Sequence, residues 1–209
     1  METTDKIAII GAAVRFPGSR TLARFWQNLA GAQISVREGP PHADDPAFVP
    51  RFGSIEGRDD FDYAFFGINL REAEFIDPQQ RLLLECGWAL REALGPGGLA
   101  GRVTGVFVGT SISTYLHNAL RRPLVLNGEE GFQAMLGCDK DLAASRLSYK
   151  LGFTGPSLVV QTACSTSLVA VHLARLSLLR GECEIALAGG VSVKPLEVGG
   201  YLYQEGGIN

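Results

Sequence analysis

The stretch from Ser157 to Arg180 constrains the fold of this chain more than any other part of the sequence. It opens with Ser-Leu-Val-Val-Gln after the turn Gly155-Pro156, an apolar run that is typical of a short buried strand. Residues 165–180 carry a helical pattern, and Gly181 provides a stop signal. The sequence therefore predicts a strand followed at once by a long helix, with Cys164 at their junction.

The predicted helix over 165–180 has apolar side chains around nearly its whole circumference. Such a pattern is typical of a core helix, so we expect this helix to be buried on all sides. Small residues along it would permit close approach by a partner helix. The apolar positions are Leu168, Val169, Ala170, Val171, Leu173, Ala174, Leu176, Leu178 and Leu179, and the small ones are Ala163, Ser167, Ala170 and Ala174.

The remainder of the chain alternates predicted strands and helices. Helix start signals include Thr21 as an N-cap and Asp77-Pro78 before a long apolar pattern. Residues 31–60 are rich in Gly, Pro and Asp and predict a long solvated loop. This order predicts an α/β fold with a mostly parallel sheet and right-handed crossovers. Strands are expected over 6–10, 103–109, 157–161 and 184–188, and helices over 21–29, 78–94, 141–151 and 165–180.

Charge and hydropathy argue against two classes of protein. The formal net charge is −3 at pH 7 and the largest basic cluster is the pair Arg121-Arg122, so a nucleic-acid-binding surface is not expected. The sequence has no uninterrupted run of about 20 apolar residues, and Met1–Lys6 carries acidic residues that do not suit a signal peptide. We therefore expect no membrane association and a cytoplasmic location.

The four cysteines form no Cys-x-x-Cys pair and no cluster with histidine. Neither a metal site nor a disulfide framework is therefore expected. Cys86 falls in a helical stretch and Cys183 before a strand, and both are interpreted as structural. Cys138 has no assigned role.

Cys164 differs from the other three because it lies at the first turn of a predicted helix. Unpaired backbone N–H groups and the positive end of the helix dipole favour the nucleophilic thiolate there. The same N–H groups can bind a developing oxyanion when sulfur attacks a carbonyl. The position suits acyl transfer through a thioester, and its ordinary alternative is an inert buried cysteine.

Five motifs follow one another along the chain. The most distinctive is Thr-Ala-Cys-Ser-Thr-Ser-Leu-Val-Ala-Val-His-Leu-Ala, at residues 162–174. The others are Ile9-Ile10-Gly11 with Arg15-Phe16-Pro17-Gly18, Asp77-Pro78-Gln79-Gln80-Arg81, Gly155-Pro156-Ser157 and Ala186-Leu187-Ala188-Gly189-Gly190-Val191. Together they resemble the β-ketoacyl synthases, in particular the ketosynthase domains of modular type I polyketide synthases.

The resemblance implies a thiolase-like α/β fold, with residues 1–209 as the N-terminal part of a layered α/β/α/β/α domain. It implies that Cys164 is the nucleophile that takes an acyl chain from the phosphopantetheine of an acyl carrier protein. A malonyl-type extender would then condense with that acyl thioester by decarboxylative Claisen chemistry, in polyketide or fatty-acid biosynthesis. It further implies a homodimer that works with other polyketide synthase domains and has no cofactor of its own.

The histidines depart from the family pattern. The two catalytic histidines of the family lie in His-Thr-Gly-Thr and Asn-Ile-Gly-His motifs, and neither motif occurs here. His42 and His117 are predicted to be surface residues, and His172 a helix-packing residue about 12 Å along the axis from Cys164. Gln161 stands where many relatives carry aspartate and is interpreted as a subtype marker. We therefore expect an N-terminal ketosynthase half, without the C-terminal half, that is incompetent for condensation by itself.

Two alternatives to this function are considered. One is a non-catalytic ketosynthase-like module that acts as a dimerisation or docking scaffold. The presence of Cys164 counts against it, whereas the lack of both histidine motifs counts for it. The other is a cysteine hydrolase of the α/β-hydrolase type, which needs a Gly-x-Cys-x-Gly elbow. The sequence around Cys164 has neither glycine.

Overall fold

A computed structural model describes residues 6–40, 45–95, 97–115, 128–194 and 199–207, so His42 and His117 lie outside the described residues. The chain divides into two compact units, Met1–Ala13 with Asp59–Lys194 and Val14–Arg58 with Pro195–Asn209. The described helices are α1 (Leu22–Ala30), α2 (Leu70–Phe75), α3 (Pro78–Ala93), α4 (Glu129–Cys138), α5 (Ala143–Leu151) and α6 (Thr166–Leu179). The described strands are β1 (Val36–Glu38), β2 (Phe48–Val49), β3 (Arg51–Gly53), β4 (Thr104–Thr110), β5 (Ser157–Val159), β6 (Ile185–Val191) and β7 (Tyr201–Leu202).

The first unit is built on a parallel sheet with the strand order β5-β4-β6. Successive side chains of β4 point to opposite faces of this sheet. Val106 and Val108 pack against Leu147 of α5, in a cluster that also includes α3. Phe107 packs against Ala170 of α6. Helices therefore cover both faces of the sheet, which is the usual arrangement for parallel strands.

Most predicted elements of the first unit are confirmed, with ends that differ by up to three residues. The start signals act as expected. Pro78 is the first residue of α3, and the Asp77 carboxylate accepts a hydrogen bond from the Gln79 N–H at 2.7 Å. In the second unit, the Thr21 hydroxyl accepts from the Arg24 N–H at 3.2 Å and caps α1. Within the described ranges, no helix is long and apolar enough to cross a membrane.

The predicted strand over residues 6–10 is absent, and the predicted loop over residues 31–60 is not entirely irregular. Residues 6–10 form no strand, and Ile9 is 93% exposed, because no described strand lies beside them to share a hydrogen-bond ladder. The predicted loop over 31–60 contains β1, β2 and β3. The β1 strand pairs with β3, and β2 with β7, both antiparallel. Short ladders of this kind carry too few residues for a period-of-two signal.

Helices α2 and α4 were not predicted. α2 has only six residues, and its start signal is Asn69, whose side chain accepts from the Glu72 N–H at 2.8 Å. α4 contains Gly137, and glycine lowers helix propensity. The glycine is needed because a Cβ at that position would overlap the backbone carbonyl of Phe75. Packing therefore overrides propensity in α4.

The prediction that the Cys164 helix is buried on all sides was wrong for the described structure. Only Ala170, Ala174 and Ser177 of α6 are buried, and Leu168 is 76% exposed. His172 is also exposed, so its interpretation as a packing residue was wrong. α6 covers the sheet with one face, and no element in the described ranges packs over the other.

The strand predicted over 184–188 extends beyond its expected end and includes Gly189 and Gly190. Both residues lie inside β6 and continue its ladder with β4. A Cβ at Gly190 would stand 3.4 Å from Cβ of Ser167, at the start of α6. The first turn of α6 therefore lies against this part of β6, at a distance at which a Cβ would make ordinary van der Waals contact.

The segment Asp77–Arg81 forms a buried polar network at the start of α3. The Arg81 guanidinium donates to the carbonyl oxygens of Ile76 (2.8 Å) and Ala73 (3.0 Å) and to the Tyr115 hydroxyl (2.9 Å). A buried guanidinium requires several acceptors to compensate for lost water. Here they come from the end of α2 and from the chain beyond β4.

Gln80 extends this network to α4 and α5. Its amide donates to the Asp139 carbonyl at 3.0 Å and accepts from the Arg146 guanidinium at 2.8 Å. Arg146 also pairs with Glu72 of α2 at 3.0 Å and donates to the Leu136 carbonyl of α4 at 2.8 Å. One set of charge-assisted hydrogen bonds therefore connects α2, α3, α4 and α5.

The Cys138 thiol is buried at the end of α4, where it lies 3.3 Å from the Phe75 carbonyl. Burial, with a smaller contribution from the Asp77 carboxylate, raises the pKa of this thiol to about 11. Both effects disfavour the thiolate. Cys138 therefore remains a protonated packing residue at neutral pH.

We expect Cys138 to make the free energy of unfolding decrease as the pH rises from about 8.5, its usual pKa, towards about 11. In this window the unfolded chain ionises the thiol and the folded chain does not, so ionisation favours unfolding. Urea unfolding monitored by circular dichroism should show a shallower pH dependence for Cys138→Ala than for the wild type. Cys164→Ala, which removes an exposed thiol, is the control. Identical slopes for Cys138→Ala and the wild type would contradict this assignment.

Candidate active site

Cys164 lies in a single 3-10 turn, Ala163–Ser165, between β5 and α6. The structure therefore confirms its predicted place at the junction of a strand and a helix. The residue is exposed, so the interpretation as an inert buried cysteine does not hold. Its thiol stands at the entrance of a helix of 14 residues, the end at which the helix dipole is positive.

The residue before the cysteine has a strained backbone. Ala163 has a φ of +52°, in the left-handed region that residues with a Cβ rarely adopt. This conformation costs roughly 1–2 kcal/mol for an L-residue, so the surrounding contacts must compensate for it. Backbone strain of this kind is concentrated at functional sites.

Hydroxyl groups around the turn provide that compensation. The Thr166 hydroxyl accepts from the Thr162 N–H at 3.0 Å and donates to the Ala163 carbonyl at 2.8 Å. The Ser165 hydroxyl donates to the Thr162 carbonyl at 2.8 Å, and the Ser165 N–H donates to the same oxygen at 3.2 Å. Ser165 and Thr166 therefore have a structural role at this helix start.

The turn rests on the end of β4. A Cβ at Gly109 would overlap the Thr166 methyl group and the Val160 carbonyl, so only glycine allows this approach. On the other side of the turn, the Gln161 amide donates to the Thr110 carbonyl at 3.1 Å. Two neighbouring residues of β4 thus contact the chain just before and just after Cys164.

This geometry provides two requirements for attack on a thioester. The sulfur is accessible, and the N–H of Cys164 makes no hydrogen bond to any acceptor in the described residues. A backbone N–H next to the nucleophile can donate to the oxyanion that forms as sulfur attacks a carbonyl. The site can therefore form a covalent thioester at Cys164.

The other sequence-predicted residues do not gather around Cys164. His172 lies on an exposed part of α6, two turns further along the helix. The Cys183 thiol is buried 3.5 Å from the Ser177 hydroxyl, and Cys86 is half-buried in α3, as predicted for structural cysteines. Over the described part of the chain, no three His, Cys, Asp or Glu residues come together in a way that could hold a metal ion.

Two residues near the site were missed by sequence reasoning. Gln161, interpreted only as a subtype marker, anchors the turn to β4. Gln79 of α3 bonds to Ser111, one residue beyond the end of β4. Its only signal in the sequence was membership of the segment 77–81. A buried glutamine cannot be told from an exposed one by residue type, since most glutamines are exposed.

A family model described as "Beta-ketoacyl synthase, N-terminal domain" matches residues 4–208. The chain belongs to the β-ketoacyl synthase family. One of the phenolphthiocerol/phthiocerol polyketide synthase proteins of Mycobacterium tuberculosis is 43% identical to it, over 90% of this chain and 14% of that protein. Erythronolide synthase EryA2 of Saccharopolyspora erythraea is 40% identical, over 92% of this chain and 6% of that protein. The chain therefore spans a small part of the length of these relatives.

Solved structures agree with this assignment. Ketosynthase twelve of the bacillaene polyketide synthase of Bacillus amyloliquefaciens superposes with a TM-score of 0.83 and 34% identity. The superposition covers 98% of this chain and 36% of that ketosynthase. The predicted thiolase-like α/β fold is confirmed, and the chain corresponds to the N-terminal part of a ketosynthase domain.

We expect Thr166→Val to lower the free energy of unfolding by about 1 kcal/mol, the usual contribution of a hydrogen-bonding hydroxyl, and to slow alkylation of Cys164. Valine keeps the methyl group that faces Gly109 but cannot hold the strained Ala163 backbone. Thr166→Ser, which keeps the hydroxyl and loses the methyl, is the matched control. Urea unfolding and peptide mapping after brief treatment with iodoacetamide give the two readouts. Equal alkylation rates for the two variants would show that the hydroxyl does not organise the turn.

Proposed function

We propose that this chain carries the nucleophilic half of a ketosynthase, with Cys164 accepting an acyl chain from the phosphopantetheine of an acyl carrier protein. The observation that carries the proposal is the exposed Cys164 thiol on a strained turn at the start of α6, within a chain of the β-ketoacyl synthase family. The substrate is an acyl thioester, and the reaction is acyl transfer without a cofactor of the chain's own.

The proposed acylation proceeds in two steps. The Cys164 thiolate attacks the thioester carbonyl and forms a carbon–sulfur bond, while the carbonyl π electrons move to oxygen. The oxyanion accepts a hydrogen bond from the Cys164 N–H. Collapse of this intermediate breaks the bond to the phosphopantetheine sulfur, which leaves as a thiolate and takes up a proton. The acyl group then remains on Cys164.

Condensation is the second half-reaction of the proposed function. A malonyl-type extender loses CO₂, and the resulting enolate attacks the acyl-Cys164 thioester to form a carbon–carbon bond and release the thiol. This step needs groups that stabilise an enolate and a second oxyanion. His172 is exposed on α6 and does not contact the Cys164 turn in the described structure. We therefore propose that condensation depends on residues from a further ketosynthase segment.

The partners we propose are an acyl carrier protein, other polyketide synthase domains and a second copy of this chain. In the described sheet, β5 is an edge strand that pairs only with β4. Its Leu158 is half-exposed, and an open apolar edge favours pairing with another strand. We propose that two copies pair through β5. We also propose a location in the reducing cytoplasm, where free thiols such as these four persist.

The scaffold alternative is not favoured. A module that served only for dimerisation or docking would not need an exposed thiol beside a strained residue. Substituting Cys164 separates the two functions, because it abolishes acyl transfer but leaves association unchanged.

We expect the full chain to be acylated slowly at Cys164 by an acyl pantetheine thioester and to form no β-ketoacyl product with a malonyl carrier protein. Loss of a single oxyanion donor typically costs ~10²–10³ in rate, and no histidine among the described residues lies beside Cys164 to support condensation. Intact-protein and peptide mass spectrometry detect both products, with Cys164→Ala as the control.

Two results would contradict these expectations. A wild-type chain that is not acylated at Cys164 would refute the proposed acyl transfer. A β-ketoacyl product that disappears in Cys164→Ala would show that the chain contains its own groups for condensation.

We also expect Leu158→Lys to convert a dimer into a monomer, because a charge on an edge strand opposes strand pairing. Leu168→Lys is the matched control, since Leu168 is an exposed leucine that belongs to α6 and not to a strand. Multi-angle light scattering at micromolar concentration measures the mass of each variant. A compact wild-type monomer, or equal loss of dimer in the two variants, would refute pairing through β5.

A further inference from the structure

Gln79 is buried in α3, with 1% of its surface exposed, and its amide makes a defined set of hydrogen bonds. Its Nε2 donates to the Asp77 carboxylate at 3.3 Å and to the Ser111 carbonyl at 3.4 Å, while its Oε1 accepts from the Ser111 N–H at 2.9 Å. The Asp77 carboxylate accepts from Nε2, so it sets which atom of the amide donates to the Ser111 carbonyl and which accepts from the Ser111 N–H.

The Gln79 amide therefore contacts both backbone groups of the residue that follows β4. The Ser111 N–H also donates to the Val191 carbonyl at the end of β6, at 3.1 Å. One residue earlier, the Thr110 carbonyl accepts from the Gln161 amide at 3.1 Å. Two glutamine side chains thus bind consecutive residues at the end of β4; residues 109–111 are called the exit of β4. Gln79 belongs to α3, and Gln161 lies in the chain just before Cys164.

The exit of β4 is the surface on which the Cys164 turn rests. Gly109 contacts Thr166, whose hydroxyl accepts from the Thr162 N–H and donates to the carbonyl of the strained Ala163. A shift of the exit therefore moves the contacts on both sides of the turn. Residues 109–111 connect the buried start of α3 with the reactive sulfur.

We propose that Gln79, acting through the exit of β4 and through Gln161, is a positioning residue for Cys164. The inference deepens the proposed acyl transfer and rests on it. Gln79 does not touch the substrate or the sulfur. Its hydrogen bonds fix the backbone position of residue 111, next to residue 110, whose carbonyl binds Gln161. The backbone of these two residues then positions the turn that carries Cys164. Loss of the Gln79 amide then affects the rate at which bound thioester reacts more than the affinity for the thioester.

Gln79→Met tests this proposal, and Gln80→Met is the matched control. Methionine has a similar volume and no amide. Gln80 is the next residue of the same helix and is 3% exposed, but its amide bonds to Asp139 and Arg146, away from β4. Acylation of the full chain by hexanoyl pantetheine is followed by mass spectrometry over a range of thioester concentrations. Thermal unfolding of each variant measures the general loss of stability.

We expect both variants to lower the unfolding midpoint by similar amounts. Only Gln79→Met should lower the maximal rate constant of acylation, by about tenfold or more relative to Gln80→Met, because displacement of a reacting group by about 1 Å carries a cost of this order or larger. The half-saturating concentration of the thioester should not change. Equal rate constants in the two variants would overturn the proposal.

Gln161→Met keeps the test decisive if Gln79→Met does not fold, because Gln161 is exposed. It should slow acylation in the same way, and the double variant should be no slower than the slower single variant, since both side chains act through one backbone segment. A Gln161→Met chain that reacts at the wild-type rate would overturn the proposal.

Alkylation of Cys164 by iodoacetamide separates this proposal from the proposed function. If the wild type is not acylated, the proposed function fails, but the alkylation rate still reports the position of the sulfur. A slower rate in Gln79→Met and in Gln161→Met than in Gln80→Met supports the role of Gln79. Equal rates in all three variants refute it.

Discussion

The burial of the Arg81 guanidinium is the constraint on which the first unit depends. Removing a guanidinium from water carries a large cost unless its donors find acceptors. The acceptors here are the carbonyl oxygens of Ala73 and Ile76, the hydroxyl of Tyr115 and, at 3.5 Å, the carbonyl oxygen of Asp59. These groups come from separate stretches of chain, so the charge is satisfied only when all of them are in place. Arg81 therefore couples the end of α2 to the chain beyond β4.

The same five-residue segment has two different tasks. Gln80 bonds to Asp139 and to Arg146 of α5, and Arg81 bonds to the end of α2, whereas Gln79, oriented by Asp77, bonds to Ser111 at the exit of β4. Because these residues are consecutive at the start of α3, the position of the exit of β4 depends on how the helices pack. The sheet thus transmits the geometry of a buried polar cluster to the surface that carries the thiol.

Much of the secondary structure could be predicted because its signals are local. Thr21, Asp77 and Pro78 mark helix starts by hydrogen bonds within one turn, and the structure confirms them. The place of Cys164 between strand and helix follows from the same kind of signal. The errors concern contacts between distant residues. Gln79 and Ser111 are 32 positions apart, and no periodicity in the sequence connects them. Exposure of Leu168 was also beyond prediction, because an apolar pattern shows what a helix tends to bury and not whether a covering layer is present.

The left-handed conformation of Ala163 makes the geometry of the Cys164 turn depend on its neighbours. No glycine precedes the nucleophile, so the conformation depends on the hydrogen bonds of Ser165 and Thr166 and on the contact of the turn with β4.

Gly109 has a further consequence for how such a domain can be changed. Because Gly109 has no side chain, Thr166, the first residue of α6, packs directly against the backbone of β4. Any larger residue at this position would overlap the turn that carries the sulfur. Any residue with a Cβ at position 109 would therefore require the turn to move. Attempts to alter which acyl groups the thiol accepts have to act on segments that do not support the turn. A library that randomises the glycine would mainly sample inactive proteins.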